Sequence, residues 1–204
     1  MNKNKIKFWK RAESLMETII AVTVIALGAT AAGVMVRTSM YGNEMSQQRM
    51  AAINFAREGI EAVRSIRDTN WLRYGGSCWN SLEGTDATDC AVSRIANETY
   101  YAIKLDMDSL AYYLEDVPAD SDVFEDDYQL YECGITNPVT DGSGAIYGIP
   151  SDDAGCVPSD FYRNVYIDYD TVPGATYMTV TVTVGWIGEG EEKTVELEEI
   201  IGNF

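Results

Sequence analysis

Thr18 to Val36 is a run of 19 residues without a charged side chain, and it follows a leader, Met1 to Ala12, that carries five cations (Lys3, Lys5, Lys7, Lys10, Arg11) and no acid. A run of that length spans the hydrocarbon core of a bilayer as a helix. A secretory signal peptide has a shorter apolar core followed by a small-residue cleavage site; here the small-residue junction, Ala12, precedes the apolar run. Cleavage at Ala12 would leave the membrane helix on the mature chain. The leader's cations predict a cytoplasmic N-terminus and a C-terminal part outside, with Arg37 closing the span on the far side.

Glu17 sits just inside the apolar segment that begins at Leu15. A charge at the centre of a membrane helix costs about 2.5–3.5 kcal/mol on insertion scales and less near an end. Two readings follow. The carboxylate reaches back into the headgroup layer, or it meets a cation brought by another chain.

The whole arrangement, a basic leader, a small residue, the interval Glu13-Ser14-Leu15-Met16-Glu17 and then about 20 apolar residues, resembles the class III signal of type IV prepilins and of the pseudopilins of type II secretion. The resemblance implies a membrane aspartyl peptidase that cuts between Ala12 and Glu13 on the cytoplasmic side and N-methylates Glu13. It also implies that Glu17, the fifth mature residue, meets the N-terminal ammonium of a neighbouring subunit and sets axial register during fibre assembly. Two positions depart from the family's usual pattern: Ala12 stands for Gly and Glu13 for Phe. The partners implied are other pilin subunits, the prepilin peptidase, the inner-membrane assembly platform and the membrane itself.

From Arg37 to about Arg67 there is no proline, and Ile53, Ala56, Ile60, Val63 and Ile66 recur at helical spacing, which predicts that the amphipathic half of one long helix docks on a core. Leu15 to Arg67 as a single helix would be about 80 Å long. Arg49, Arg57, Glu58, Glu61 and Arg64 are expected on its wet side, with Arg57 and Glu61 spaced to pair. Asp68-Thr69-Asn70 reads as the helix stop, with Trp71 and Leu72 tucked beneath it. Gly28 and Gly33 predict bending or local melting, or close helix packing together with Ala29, Ala31 and Ala32. Many major pilins carry a helix-kinking proline in this neighbourhood, and this chain has none there.

Beyond Trp71 the texture turns to Gly, Ser, Asp and Thr, and strands are predicted at 100–105, 128–133, 165–169, 177–187 and 193–201. The clearest is Met178 to Trp186, where Thr and Val alternate with period two; Gly188-Glu189-Gly190-Glu191 turns it into a second alternating strand. The expected fold is α+β, a long N-terminal helix packed on a C-terminal antiparallel sheet, pilin-like by the resemblance. The expected organisation is leader 1–12, membrane helix 13–36, amphipathic half-helix 37–69 and an extracytoplasmic domain 70–204. The C-terminal hairpin and Ala56-Arg57-Glu58-Gly59-Ile60-Glu61-Ala62 are similar to minor pilins and minor pseudopilins.

Cys78, Cys90, Cys133 and Cys156 all fall on the side expected to be outside. The chain has no His and no C-x-x-C, which argues for disulfides over zinc. Three connectivities are open; Cys78–Cys90 and Cys133–Cys156 are favoured because each closes a local loop rich in Gly, Asp and Ser. The formal charge is −17, and loss of the leader leaves 10 basic and 32 acidic residues, a surface that disfavours nucleic-acid binding through a basic patch.

No enzymatic constellation is visible. Without His there is no His-based triad, Gly142-Ser143-Gly144 lacks the nucleophile-elbow spacing, and no glycine-rich loop leads into a Lys and a helix. Acids at Glu115, Asp116, Asp120, Asp122, Glu125, Asp126 and Asp127 read as a solvated loop; a calcium loop through Asp120, Asp122 and Asp126 lacks the Gly and terminal Glu of an EF-hand, and a carboxylate pair of the glycosidase kind is the other alternative. No cofactor is expected. Two functions compete: a minor structural subunit of a type IV pilus or pseudopilus, membrane-anchored before assembly and part of a cell-surface filament after it, or an uncleaved single-pass surface protein whose acidic, disulfide-bonded domain binds a ligand, calcium or a cell surface.

Overall fold

The computed structural model describes residues 3–76, 78–82, 94–106, 111–117, 122–136, 143–150, 156–169, 177–188 and 190–203, with helix side chains described from residue 15. One helix, α1 (Lys3–Tyr74), opens the chain. Seven strands follow: β1 (Thr99–Asp106), β2 (Ala111–Asp116), β3 (Gln129–Thr136), β4 (Ser143–Pro150), β5 (Cys156–Tyr169), β6 (Tyr177–Gly188) and β7 (Glu191–Gly202). The class is α+β, as the sequence pattern predicts.

Contacts divide the chain into two units, residues up to Gln47 and Gln48–Phe204. In the first, large apolar side chains from Leu15 to Met45 stand exposed. In the second, the remaining helix covers the sheet.

The strands form one sheet in the order β2-β1-β4-β3-β5-β6-β7. Among the described residues only β1 and β4 run parallel. β5 is the spine: its first half pairs with β3, its second half with β1, and most of its length with β6. The β6–β7 hairpin pairs from Tyr177↔Gly202 to Gly188↔Glu191, so its connection is two residues long, with Gly190 at φ 78°, a backbone conformation that costs a Cβ-bearing residue energy. Val180, Val182 and Val184 on β6 are buried while the intervening Thr residues are half-buried, which is the period-two pattern in three dimensions.

The helix meets this face through small residues interleaved with larger apolar ones. Ala52, Ala56, Gly59, Ala62, Val63 and Ile66 are buried, and a Cβ on Gly59 would lie 2.8 Å from Val182 Cγ1. Ile53 is only partly buried. A second, smaller cluster of Ala102, Val117, Tyr128, Leu130 and Ile149 forms on the β1–β3–β4 side of the sheet.

Several expectations are corrected here. The helix does not stop at Asp68-Thr69-Asn70 but runs to Tyr74. Asn70 is buried and donates from Nδ2 to the Ser81 carbonyl (2.5 Å), so its side chain bonds across the fold instead of capping the helix. Gly75, at φ 74°, is the actual stop, its N–H donating to the Trp71 carbonyl at 2.9 Å as an αL cap does. Trp71 and Leu72 are exposed rather than tucked beneath it. Glu61 pairs with Arg64, which also reaches Glu199 on β7; among the described residues no Arg57–Glu61 pair forms. Glu58 is not on the wet side but partly buried against Arg163. Gly28 and Gly33 lie within unbroken α-helix, without local melting.

Candidate functional site

Residues Leu15 to Val36 hold four side chains with hydrogen-bonding capacity: Glu17, Thr18, Thr23 and Thr30. Each Thr is satisfied by its own helix. Thr18 donates to the Leu15 carbonyl (2.9 Å), Thr23 to Ile19 (2.7 Å) and Thr30 to Leu27 (2.9 Å); Thr38, past the span, donates to Val34 (3.0 Å). Hydroxyls folded back in this way present methyl groups outward, so the segment can enter hydrocarbon without stranding a polar group. Among the described residues this is the one helix long and apolar enough to cross a membrane, and its apolar stretch is not buried.

Glu17 is the exception. It is exposed on the helix surface, and among the described residues it makes no ion pair. A carboxylate beside lipid is stabilised by the headgroup layer or by a cation from another molecule. The backbone at Ala12 and Glu13 is helical; their side chains lie outside the described residues.

Cys133 and Cys156, direct partners on β3 and β5 with Cα atoms 4.3 Å apart, form a disulfide. Cys78 is disulfide-bonded as well; Cys90 lies outside the described residues. Of the acidic stretch, Asp120 lies outside them too, as does Gly142. Asp122 accepts from the Phe124 N–H at 3.0 Å, a local turn bond, and among the described residues no three potential ligands gather to hold a metal.

A polar cluster in the core escaped the sequence reading. Arg163 on β5 is fully buried, with Nη1 3.5 Å from Glu58 Oε1 and donating to the Phe55 carbonyl at 3.2 Å. Tyr112 on β2 donates its hydroxyl to the same Glu58 oxygen at 2.8 Å. Burial, with the Glu58 charge behind it, pushes the Tyr112 phenol up to about 12, and burial pulls the Arg163 guanidinium down against the opposing pull of Glu58. The signal was present: Arg163 shares the parity of Phe161, Val165 and Ile167, the inward face of β5.

Comparison of the chain with protein-family models, with curated proteins and with solved structures finds no match.

Proposed function

We propose that the chain is a prepilin-like structural subunit, in a minor role, of a type IV pilus or pseudopilus. A peptidase removes the leader between Ala12 and Glu13, the apolar helix holds the subunit in the membrane with its N-terminus cytoplasmic, and the same helix polymerises with those of other subunits at the assembly platform. The observation that carries this reading is the contrast within one helix: every Thr hydroxyl of the span is satisfied internally, and Glu17 alone is left to a partner. The leader in front of it and the α+β body behind it are consistent with the same family resemblance. No catalytic role is assigned.

The test is intact-mass and N-terminal analysis of the protein from its host, with and without the prepilin peptidase. A peptidase-dependent start at N-methyl-Glu13 supports the reading. A Met1 start in both hosts, with the chain retained in the membrane, overturns it in favour of an uncleaved surface-anchored binding protein.

A further inference from the structure

The helix face that docks on the sheet sets a row of small residues beside the larger Ile60, Val63 and Ile66, and against a slip that keeps small residues in that row apolar packing alone carries little register information. Ala52, Ala56, Gly59 and Ala62 are all buried; advancing the helix by three residues sets Gly59, Ala62 and Ser65 where Ala56, Gly59 and Ala62 stand, whereas the other slips of three or four residues bring Ile53, Phe55, Ile60, Val63 or Ile66 into the row. Gly59 is different. A Cβ there would lie 2.8 Å from Val182 Cγ1 and 3.2 Å from Arg163 Cδ, so any slip that brings Phe55, Ala56, Ala62 or Val63 to this point lifts the helix off the sheet.

Lifting has an electrostatic consequence. Arg163 is fully buried, and its Nε and Nη2 have no hydrogen-bond partner among the described residues; Glu58, one residue from Gly59, is its ion-pair partner. A buried guanidinium that loses its carboxylate is strongly destabilising, whereas an apolar pair of similar volume in place of both is often neutral. The one slip that offers a replacement carboxylate moves Glu61 into Glu58's place. It also moves Ala62 to Gly59's place and Phe55 to that of Ala52, which is 0% exposed. Charge and shape therefore reject different wrong registers.

We propose that Glu58, Gly59 and Arg163 form a register key: the glycine lets the helix approach closely enough for Glu58 to reach Arg163, and the buried cation penalises every register in which it does not. The pair selects one docking geometry and contributes little net stability. The inference does not depend on the fibre reading, since its readouts involve the isolated subunit.

The experiment uses the full chain in detergent, with spin labels on cysteines introduced at exposed Arg57 and Thr194 and distances read by pulsed electron paramagnetic resonance, alongside urea unfolding. Gly59→Ala is compared in the natural background and in Glu58→Leu/Arg163→Met. The key requires that Gly59→Ala raise the unfolding constant at least tenfold more in the natural background. It also requires the triple variant to show a second distance, corresponding to a shift of about 4.5–6 Å along the helix, three or four residues of rise. Equal effects of Gly59→Ala in both backgrounds, or a single unchanged distance in the triple variant, would overturn it. If Glu58→Leu/Arg163→Met does not fold, Glu58→Gln/Arg163→Met serves as the second background, removing both charges while keeping the shape of the Glu58 side chain, and the same two criteria apply.

Discussion

Glu17 and Glu58 are carboxylates placed against apolar surroundings, and their environments explain why they do different work. Glu58 has both a buried cation and a phenol inside its own fold; Glu17 has neither. Under the proposed function, Glu17→Ala removes the insertion penalty and so leaves membrane anchoring intact, while incorporation into sheared fibres, measured by immunoblot, falls at least tenfold. Incorporation at the natural level would remove the register role of this residue. The Tyr112 bond to Glu58 gives a second expectation. Its phenol is pushed up to about 12 by burial, as is that of Tyr169, so in each case the neutral form is the one the fold favours. A group raised in this way contributes in full below its ordinary value near 10 and loses that contribution as pH climbs toward 12. The thermal midpoint should therefore decline between pH 10 and 12, and Tyr112→Phe should make that decline shallower while lowering the midpoint at pH 7 by one hydrogen bond, about 1 kcal/mol. An unchanged alkaline slope in Tyr112→Phe would show that the phenol does not titrate with the fold.

At the scale of elements, two glycines in β6 and its turn make opposite demands. Gly185 is crowded: a Cβ would lie 2.8 Å from Val123 Cγ1 and 2.9 Å from Phe124 Cζ. Gly190 has open space around it and a φ of 78°. Gly185→Ala overpacks, at about 1–3 kcal/mol, and Gly190→Ala strains the backbone, at about 1–2 kcal/mol. Urea midpoints alone will look alike, so the discriminating step is Val123→Ala, which should recover part of the loss from Gly185→Ala and none of that from Gly190→Ala. Recovery of both, or of neither, would show that crowding is not what distinguishes them. These elements also show what was legible in the chain. The helix, β6 and β7 follow from apolar periodicity alone, because each buries one face on a regular partner. β2 and β4 carry no readable pattern: Ala-Tyr-Tyr-Leu-Glu-Asp is too short to show a period, and Ser143 to Pro150 is broken by glycines. The first half of β5 was hidden by Pro158, which nevertheless stands opposite Tyr131 next to a register shift. The helix end was misplaced because Asn70, a residue that favours local bonds, finds Ser81 across the fold. Of the candidate site, Glu17 and the apolar run were readable directly, while Arg163 required knowing that β5 begins early enough to put it in a core.

For the whole molecule, the division at Gln47/Gln48 implies that solubility and stability reside in different units. Every large apolar side chain of the first unit that is described is exposed, so among the described residues that unit adds nothing to the core. The second unit encloses its own core beneath Ala52 to Ile66 and carries 9 basic and 29 acidic residues, a net charge large enough to oppose self-association in water. A fragment beginning at Ser46, whose hydroxyl can cap the newly exposed helix N-terminus, should therefore fold without detergent when produced in an oxidising compartment. It should elute as a monomer from size exclusion and unfold in urea within about 1 kcal/mol of the full chain in detergent, since about 1 kcal/mol is what a frayed or poorly capped first turn costs. Reduction should lower its stability by at least about 3 kcal/mol, the chain-entropy value for the loop closed by Cys133 and Cys156, since the Cys78 disulfide opens with it. A fragment that aggregates, or that folds only when residues 15–45 are restored, would mean that the apolar helix is part of the folding unit and that the boundary at Gln48 is one of contacts only, not of stability.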